Sequence, residues 1–437
     1  MRAGSARIEI TPPKGLPMGG YVARADPAQG IHDPLFARAL VLDDGAQRVA
    51  LISADLPEVT PAFANDVRGR IAQELGIPPT HSLLAVSHTH AGPLVAGHRV
   101  NTPDPFYLET LHDRLLGVVR AAARVLRPAS IGAGRGKVYL GVNRRAGRQD
   151  TGAPQPQGRP GYASPYTRVL VAAEQGGGPL AILFTYGAHP NVLGPENLQI
   201  SGDYAGFAER AIEENYGGNA VGLFALGFAG DVDAQHSKRS FDEAETLGTA
   251  LSRAVLEEMK AIRPADGLAL RARVLRVPLP LQPPPSLEEA ERLLFAERER
   301  LNAILGRGED KAEIIRRRIR VDWASQLVQA AHEGRQAPPL EVELQGIAIG
   351  PIALLGVAAK PFAEYEKILL ELSPFPHTFP LACVNGSIGY VPTATAFAEG
   401  GYEVEAAPRL YGTLPLRPEV ESTLRLAFAR LLADLTG

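Results

Sequence analysis

The chain has 437 residues, of which 45% are hydrophobic and 21% charged, a globular composition that excludes a disordered or fibrous chain. Lys and Arg number 45 against 48 Asp and Glu, a formal charge of -3, so no overall positive charge draws the protein to nucleic acid. The single cysteine, Cys383, excludes an internal disulfide and a metal site built from several thiolates. A bound metal would therefore be held by nitrogen and oxygen atoms.

The amino-terminal residues contain no apolar run of the kind that forms the core of a signal peptide. No stretch of about 18 uninterrupted apolar residues occurs in the sequence, so no transmembrane segment is expected. The two observations predict a cytoplasmic location.

The first half of the chain has the pattern of an α/β fold. Short apolar runs predict strands, and amphipathic stretches predict helices. The predicted strands are 48–56, 83–87, 180–186 and 220–226, and the predicted helices are 65–76, 203–216 and 241–263. The first three of these elements along the chain make a βαβ unit, and in such sheets ligands bind beyond the carboxyl ends of the strands. The pattern predicts an α/β protein with mixed β-sheets flanked by helices.

The second half begins with a change of composition. After a proline-rich stretch at 279–285, residues 286–333 are strongly charged and helix-periodic, which predicts a helical hairpin insertion. The hairpin either packs on the side of the protein or serves self-association. The formation of a homo-oligomer is therefore left as an open alternative. From residue 340 the alternation of apolar and polar residues predicts an antiparallel pair of strands. A final helix is predicted over 417–436. The Gly/Pro-rich composition of residues 143–166 predicts a long loop.

Three histidines follow predicted strands. His88 and His90 are two apart in an extended chain, so their side chains leave on the same side. His189 follows another strand and precedes a proline. Three imidazoles at one sheet edge suit zinc, which keeps an open position when it is catalytic. The alternative is that these are histidines satisfied by hydrogen bonds within Gly/Pro turns.

Acidic and basic residues also stand at strand ends or in loops. Asp231 and Asp233 have three candidate roles, as metal ligands, as partners that orient a histidine, or as caps of the next helix. Asp55 is a candidate for a residue that orients a metal ligand, or for a turn residue. Asp203 is a candidate for a helix N-cap. Arg144, in the basic loop, either meets a carboxylate or developing oxyanion or is an ordinary surface arginine.

Tyr390 and Tyr402 lie in turn-rich sequence. A phenol in such a place can donate to an oxyanion or bind a metal, and the alternative is an ordinary half-buried tyrosine. The sequence has no GxSxG, GxxxxGK[ST] or HExxH motif, which excludes the commonest hydrolase, nucleotide-triphosphatase and metalloprotease signatures.

A series of short motifs runs along nearly the whole chain in a fixed order. They are Ile8-Glu9-Ile10-Thr11-Pro12-Pro13, Pro17-Met18-Gly19-Gly20-Tyr21, Ser53-Ala54-Asp55-Leu56, His88-Thr89-His90-Ala91-Gly92-Pro93, Asn143-Arg144, His189-Pro190-Asn191, Ser201-Gly202-Asp203-Tyr204, Gly230-Asp231-Val232 and the segments around Tyr390 and Tyr402. In these motifs the chain resembles the neutral/alkaline non-lysosomal ceramidase family, in its catalytic N-terminal domain. The resemblance implies one catalytic domain over 1–437 with the helical insertion 286–333 inside it. The immunoglobulin-like C-terminal domain of the family's secreted enzymes is expected to be missing.

The resemblance implies amide hydrolysis by a zinc-activated water. Carried over by motif, the metal ligands are His88, His189 and Tyr390. His90, Arg144 and Tyr402 are implied to grip the carbonyl and the tetrahedral intermediate. Asp231 and Lys360 complete the catalytic candidates.

Two positions depart from the family pattern. Lys360 stands where the family has a zinc-binding glutamate, and an ammonium cannot ligate zinc. Either a carboxylate such as Asp231, Glu364 or Asp55 substitutes, or Lys360 acts as a base with a pKa depressed by burial, or the site has lost its metal. Asp233 stands where the ceramidases proper have a serine, so a serine-based route is excluded at that position.

The leading hypothesis is a zinc-dependent hydrolase of a carbon–nitrogen bond whose substrate is a small or polar amide or N-acyl compound rather than ceramide. The alternatives are a ceramidase-like binding or regulatory protein without zinc, and an ester or lactone hydrolase.

Overall fold

A computed structural model describes residues 1–22, 24–97, 102–145, 161–307, 311–334 and 339–437. The strands in this part of the chain are β1 (Arg2–Glu9), β2 (Gly30–Ile31), β3 (Phe36–Asp43), β4 (Arg48–Ala54), β5 (Ser82–Val86), β6 (Arg127–Lys137), β7 (Gly141–Asn143), β8 (Tyr166–Glu174), β9 (Pro179–Tyr186), β10 (Gln199–Ile200), β11 (Val221–Leu226), β12 (Val232–Ala234), β13 (Leu270–Pro278), β14 (Glu341–Ile349), β15 (Ile352–Val357), β16 (Lys360–Pro361), β17 (His377–Leu381) and β18 (Tyr390–Val391). The α-helices are α1 (Pro61–Leu75), α2 (Pro105–Arg124), α3 (Asp203–Asn215), α4 (Phe241–Met259), α5 (Leu287–Arg307), α6 (Lys311–His332), α7 (Tyr365–Leu372), α8 (Ala394–Glu399), α9 (Ala407–Tyr411) and α10 (Val420–Thr436).

The main sheet has eight strands in the order β11-β9-β8-β6-β1-β3-β4-β5. It is mixed, because β11 and β9 are parallel, β4 and β5 are parallel, and the strands between these two pairs are antiparallel. The two parallel pairs therefore stand at opposite ends of the strand order.

The sheet curls until its two ends meet. Strand β11 contacts β4 and β5, and the Ser53 hydroxyl on β4 donates to the Phe224 carbonyl on β11. The segment after β17 joins the same two edges, since the Ala382 N–H donates to the Leu226 carbonyl (2.8 Å) and the Asn385 N–H to the Leu84 carbonyl (2.7 Å). The curl brings together strand ends that are distant in the strand order.

A second sheet has four strands in the order β13-β14-β15-β17. Buried residues of both sheets, among them Leu51 and Leu183 of the first and Ile347 and Leu354 of the second, form one apolar cluster. A larger cluster includes residues of the main sheet and of helices α1 to α4. Each sheet therefore buries apolar side chains, as sheets covered by another layer do.

The predicted fold class is confirmed as a mixed α/β protein. The βαβ unit is formed by β4, α1 and the parallel strand β5. Helix α1 begins at Pro61, earlier than predicted, because the Thr60 side chain accepts from the Phe63 N–H and caps the helix. The predicted antiparallel pair is β14 and β15.

The predicted helical hairpin is formed by α5 and α6, which pack against each other. Its contact with the rest of the protein includes Trp323, which is 7% exposed and donates from its indole N–H to the Thr413 carbonyl at 3.2 Å. Most of the predicted loop 143–166 lies outside the described residues. Among the helices described, none is both long and apolar enough to cross a membrane.

Candidate metal centre

Three histidines converge at the meeting edges of the curled sheet. His88 and His90 follow β5, and His189 follows β9. One ligand atom from each lies within 4.8 Å of the others, and the ring centroids are 4.9, 4.9 and 5.6 Å apart. The structure thus joins the histidines that the sequence placed at separate strand ends, and His90 belongs to the cluster as closely as the other two.

Hydrogen bonds fix the tautomers of two of these histidines. The Nδ1 of His88 bonds the Pro57 carbonyl, and the Nδ1 of His189 bonds the Val232 carbonyl at 2.9 Å. A carbonyl only accepts, so both Nδ1 atoms carry the proton and both Nε2 atoms keep a lone pair. The Nε2 of His189 is buried and has no hydrogen-bond partner among the described residues, and the Nε2 atoms of His88 and His90 are 3.4 Å apart. This is the arrangement of metal-binding histidines, whose second nitrogen donates to a carbonyl or carboxylate.

The three imidazoles are held neutral. Burial, with the nearby Lys360 ammonium, lowers the pKa of His88 to about 4. Burial and the neighbouring His88 hold the pKa values of His90 and His189 well below the ordinary range. Neutral imidazole is the form that binds a metal, so the cluster is ready to act as a ligand set at neutral pH.

The backbone around the cluster is tightly constrained. His88 has a φ of 64°, an uncommon left-handed conformation for a residue other than glycine. Gly20 has a φ of 87° and stands so close to the histidine turn that a Cβ there would lie 2.5 Å from the Cα of His90. The motif Gly19-Gly20-Tyr21 is thus a close backbone approach that needs glycine.

The segment 201–204 supports both histidine-bearing loops. The Ser201 N–H donates to the Ala91 carbonyl at 3.0 Å, and the Thr89 hydroxyl donates to the Ser201 carbonyl at 2.8 Å. The Tyr204 hydroxyl donates to the Ala188 carbonyl at 2.6 Å, one residue before His189. This segment at the start of α3 therefore holds the two loops in one relative position.

A cavity opens beside His88 and His90. Its polar lining residues include Glu58, Lys360, Tyr21, Tyr390, Tyr402 and Tyr411. Its apolar lining residues include Met18, Val22, Leu94, Val95 and Leu410. The histidine cluster is therefore open to a ligand of modest size with both polar and apolar parts.

Tyr390 and Tyr402 both line this cavity. Their rings meet edge to face at 5.6 Å, and the Tyr390 ring is 6.4 Å from that of His189. Burial raises the pKa of both phenols above the ordinary value, so both are hydroxyl donors at neutral pH. The structure brings these two predicted residues to the histidine cluster.

Arg144 lies behind Tyr390 and is not among the residues that line the cavity. Its guanidinium donates to Glu403 at 2.6 Å and to Asp233 at 2.9 Å, and also to the Gly230 carbonyl. Its centre is 5.5 Å from the Tyr390 ring centroid. Arg144 is thus bound to two carboxylates, and it is close enough to the cluster for its charge to contribute to the lowered pKa values of all three histidines.

Lys360 is buried, with 3% exposure, and lines the cavity. Its ammonium donates to the Tyr411 hydroxyl, lies 3.7 Å from a carboxylate oxygen of Glu58, and stands over the Tyr390 ring at 4.4 Å. Tyr411 in turn donates to Glu58 at 3.0 Å. The position that carries a glutamate in the family pattern therefore holds a cation with an acidic neighbour.

The carboxylates considered as substitutes for that glutamate lie elsewhere. Asp55 accepts from Arg38 at 3.0 Å, and Glu364 is exposed. Asp231 accepts from the Asn143 amide at 2.7 Å and the Ala363 N–H at 2.8 Å, and burial raises its pKa to about 6. Among the residues that line the cavity, none of these three appears.

Sequence reasoning missed Glu58 and Tyr411. Glu58 comes a few residues after β4, so its place beyond a strand end was a usable signal. Tyr411 ends the short helix α9 and has no such signal, because only the packing of α9 brings it to the cavity.

The sequence profile described as "Neutral/alkaline non-lysosomal ceramidase, N-terminal" matches residues 1–241, more than half of the chain. The chain belongs to this family. The resemblance seen in the motifs is thereby confirmed.

Known ceramidases share both sequence and fold with this chain. The neutral ceramidase of Mycobacterium tuberculosis (strain ATCC 25618 / H37Rv) is 28% identical over 215 residues, which cover 46% of this chain and 34% of that protein. The match thus spans about a third of the length of this curated relative. The crystal structure of neutral ceramidase from Pseudomonas aeruginosa has a TM-score of 0.73 at 18% identity, over 99% of this chain and 74% of that chain. A second solved structure, "Ceramidase complexed with C2", also has a TM-score of 0.73 at 18% identity, and the match covers 100% of this chain and 75% of that chain. The two solved structures show that the ceramidase fold extends over the whole chain.

Proposed function

We propose that this protein is a zinc-dependent hydrolase that cleaves an amide bond in a small or polar N-acyl compound. The observation that carries the proposal is a cluster of three neutral histidines, with His88 and His189 buried and His90 half-buried, beside a cavity. Membership of the ceramidase family supports a hydrolase. The charged side chains of Lys360 and Glu58 in the cavity wall favour a polar substrate over a purely apolar one.

The donor set fits a zinc ion. His88, His90 and His189 offer three nitrogen ligands with two tautomers already fixed, and Tyr390 stands next to them as the fourth candidate. A zinc ion held by these residues would supply a Lewis acid for the carbonyl and a bound water of lowered pKa.

The chain's own groups orient the substrate. Tyr390 and Tyr402 line the cavity, and no hydrogen bond joins either hydroxyl to another described residue. Because burial raises the pKa of Tyr402, its hydroxyl can donate to the carbonyl oxygen as negative charge develops on it. The apolar wall excludes water from one side of the substrate and holds its acyl part.

Lys360 favours a second candidate, a binding protein without zinc. Its ammonium lies close enough to His88 to lower the pKa of that residue, and it opposes a second cation in the same cavity. Glu58, 3.7 Å from the ammonium, offsets that opposition, which is why the hydrolase is the leading proposal.

Elemental analysis of protein purified without chelator tests the proposal. We expect about one zinc per chain, its loss in His189→Ala, and its retention in His332→Ala, a matched control on the exposed face of α6. Zinc-loaded protein should release amine from small N-acyl compounds. Protein that neither contains nor takes up zinc would favour the binding protein.

A further inference from the structure

Lys360 has hydrogen-bonding capacity that the protein does not use. An ammonium carries three N–H donors, and among the described residues Lys360 makes one hydrogen bond, to the Tyr411 hydroxyl. The Glu58 oxygen at 3.7 Å is too distant for a hydrogen bond. The centroids of the Tyr390 and Tyr411 rings are 4.4 and 4.7 Å from the Lys360 Nζ. The rings stabilise the positive charge but do not accept a conventional hydrogen bond from it.

Lys360 lines a cavity that has no other cationic side chain among its described lining residues. A buried ammonium with unfilled donors is costly unless a ligand fills them. The three histidines are neutral, so the cavity adds no imidazolium that would compete for an anion.

We propose that Lys360 is a recognition residue for a carboxylate of the substrate, so that the amide cleaved is that of an N-acyl amino acid or a similar N-acyl carboxylic acid. The inference rests on the proposed function, because it names the substrate class for the same cavity. A single ammonium matches the single charge of a carboxylate, whereas the Glu58 carboxylate opposes a doubly charged group such as a phosphate.

The remaining wall fits the other parts of such a molecule. Lys360, His88 and His90 all line the cavity, which suits a carboxylate attached one carbon from the amide nitrogen. The apolar side chains of Met18, Leu94 and Val95 suit an aliphatic acyl group or side chain. The cavity therefore contains one place for charge, one for the amide and one for hydrocarbon.

Binding of a non-cleavable analogue tests the proposal separately from catalysis. In 2-isobutyl-4-oxopentanoic acid a methylene replaces the amide nitrogen of N-acetylleucine, and its primary amide differs only in lacking the charge. Titration calorimetry should show the acid binding about tenfold more tightly than the amide, the size expected of a charge-assisted hydrogen bond. Equal binding of acid and amide to the wild-type protein would overturn the proposal.

Variants assign the preference to Lys360. Lys360→Met should reduce the preference for the acid to less than about twofold, and the matched control Lys367→Met, at an exposed lysine outside the cavity, should keep it. If Lys360→Met fails to fold because the Glu58 carboxylate loses the nearby ammonium, the charge-balanced variant Glu58→Gln with Lys360→Met takes its place. A preference that survives the loss of Lys360 refutes the role.

Hydrolysis of N-acetylleucine, followed by release of leucine, separates the two proposals. A binding preference with no hydrolysis by zinc-loaded protein would leave the recognition site standing and remove the amidase. Hydrolysis of N-acetylleucine without any binding preference for the carboxylate would support the amidase and remove the recognition site.

Discussion

At the scale of single residues, the site depends on which atom of each histidine is available. The carbonyls of Pro57 and Val232 accept hydrogen bonds from the Nδ1 atoms of His88 and His189, so the Nε2 atoms of both histidines keep a lone pair for a metal. The sequence predicted these histidines because they follow strands. It did not predict the carbonyls that fix them, since those come from other parts of the chain.

Metal-free protein should lose stability as the pH falls through the histidine range. The folded-state pKa of His88 is about 4 against an ordinary 6.5, so between these values the unfolded chain binds a proton that the folded chain does not. The free energy of unfolding therefore falls as the pH drops from 6.5 towards 4, by up to about 3 kcal/mol for this residue. His88→Asn, which tolerates the left-handed backbone, should lose less. Urea unfolding of chelator-treated protein at about pH 7 and about pH 4.5 measures the difference.

The comparison of variants isolates His88 from other buried groups. Burial raises the pKa values of Asp203 and Asp231 to about 7 and about 6, which changes stability with the opposite sign but equally in both proteins. His332→Asn, at an exposed position, should behave as the wild type. An equal loss in the wild type and in His88→Asn would contradict the assignment.

At the scale of elements, a buried ion cluster joins the main sheet to α3. Arg38 on β3 is 0% exposed and pairs with Asp55 at 3.0 Å, Glu209 at 2.8 Å and Glu213 at 3.2 Å. The two glutamates belong to α3, whose first turn supports the histidine loops. The cluster thus fixes that helix against the sheet that carries the site.

Arg38→Met should lower the free energy of unfolding by about 3–5 kcal/mol, because it leaves buried carboxylates without their cation. The matched control is Arg48→Met on β4, where the partially exposed arginine pairs with Asp43 at 2.7 Å. Loss of that pair should lower the free energy of unfolding by less than about 1 kcal/mol. Chemical denaturation measures the change in each variant, and changes of similar size would show that the Arg38 cluster is not a major source of stability.

At the scale of the whole molecule, we expect the helical hairpin to unfold together with the rest of one domain. Its buried residues Ile319, Trp323 and Ala324 are covered, and the Trp323 indole bonds Thr413. The chain has one tryptophan, so its fluorescence reports on the hairpin, while far-ultraviolet circular dichroism reports on the entire fold. The two denaturation curves should coincide. A fluorescence transition at lower denaturant would show that the hairpin is a separate unit.

The sequence by itself determined the local structure and most of the candidate side chains. Apolar runs and helical periodicity predicted β4, α1 and β5, although α1 begins earlier than predicted because of its Thr60 cap, and the residues just beyond the strands include all three histidines. These features depend on neighbours in sequence, which periodicity and capping report directly.

Only the tertiary structure decided how these pieces form a site. Strands β5 and β9 lie near opposite ends of the sheet order, and it is the curl of the sheet that brings His88 to His189. The packing of α9 places Tyr411 between Lys360 and Glu58. The salt bridges of Arg144 hold that residue to Glu403 and Asp233, outside the lining of the cavity. Such contacts join residues far apart in sequence, and they follow from how twisted sheets and helices fit together rather than from any local pattern.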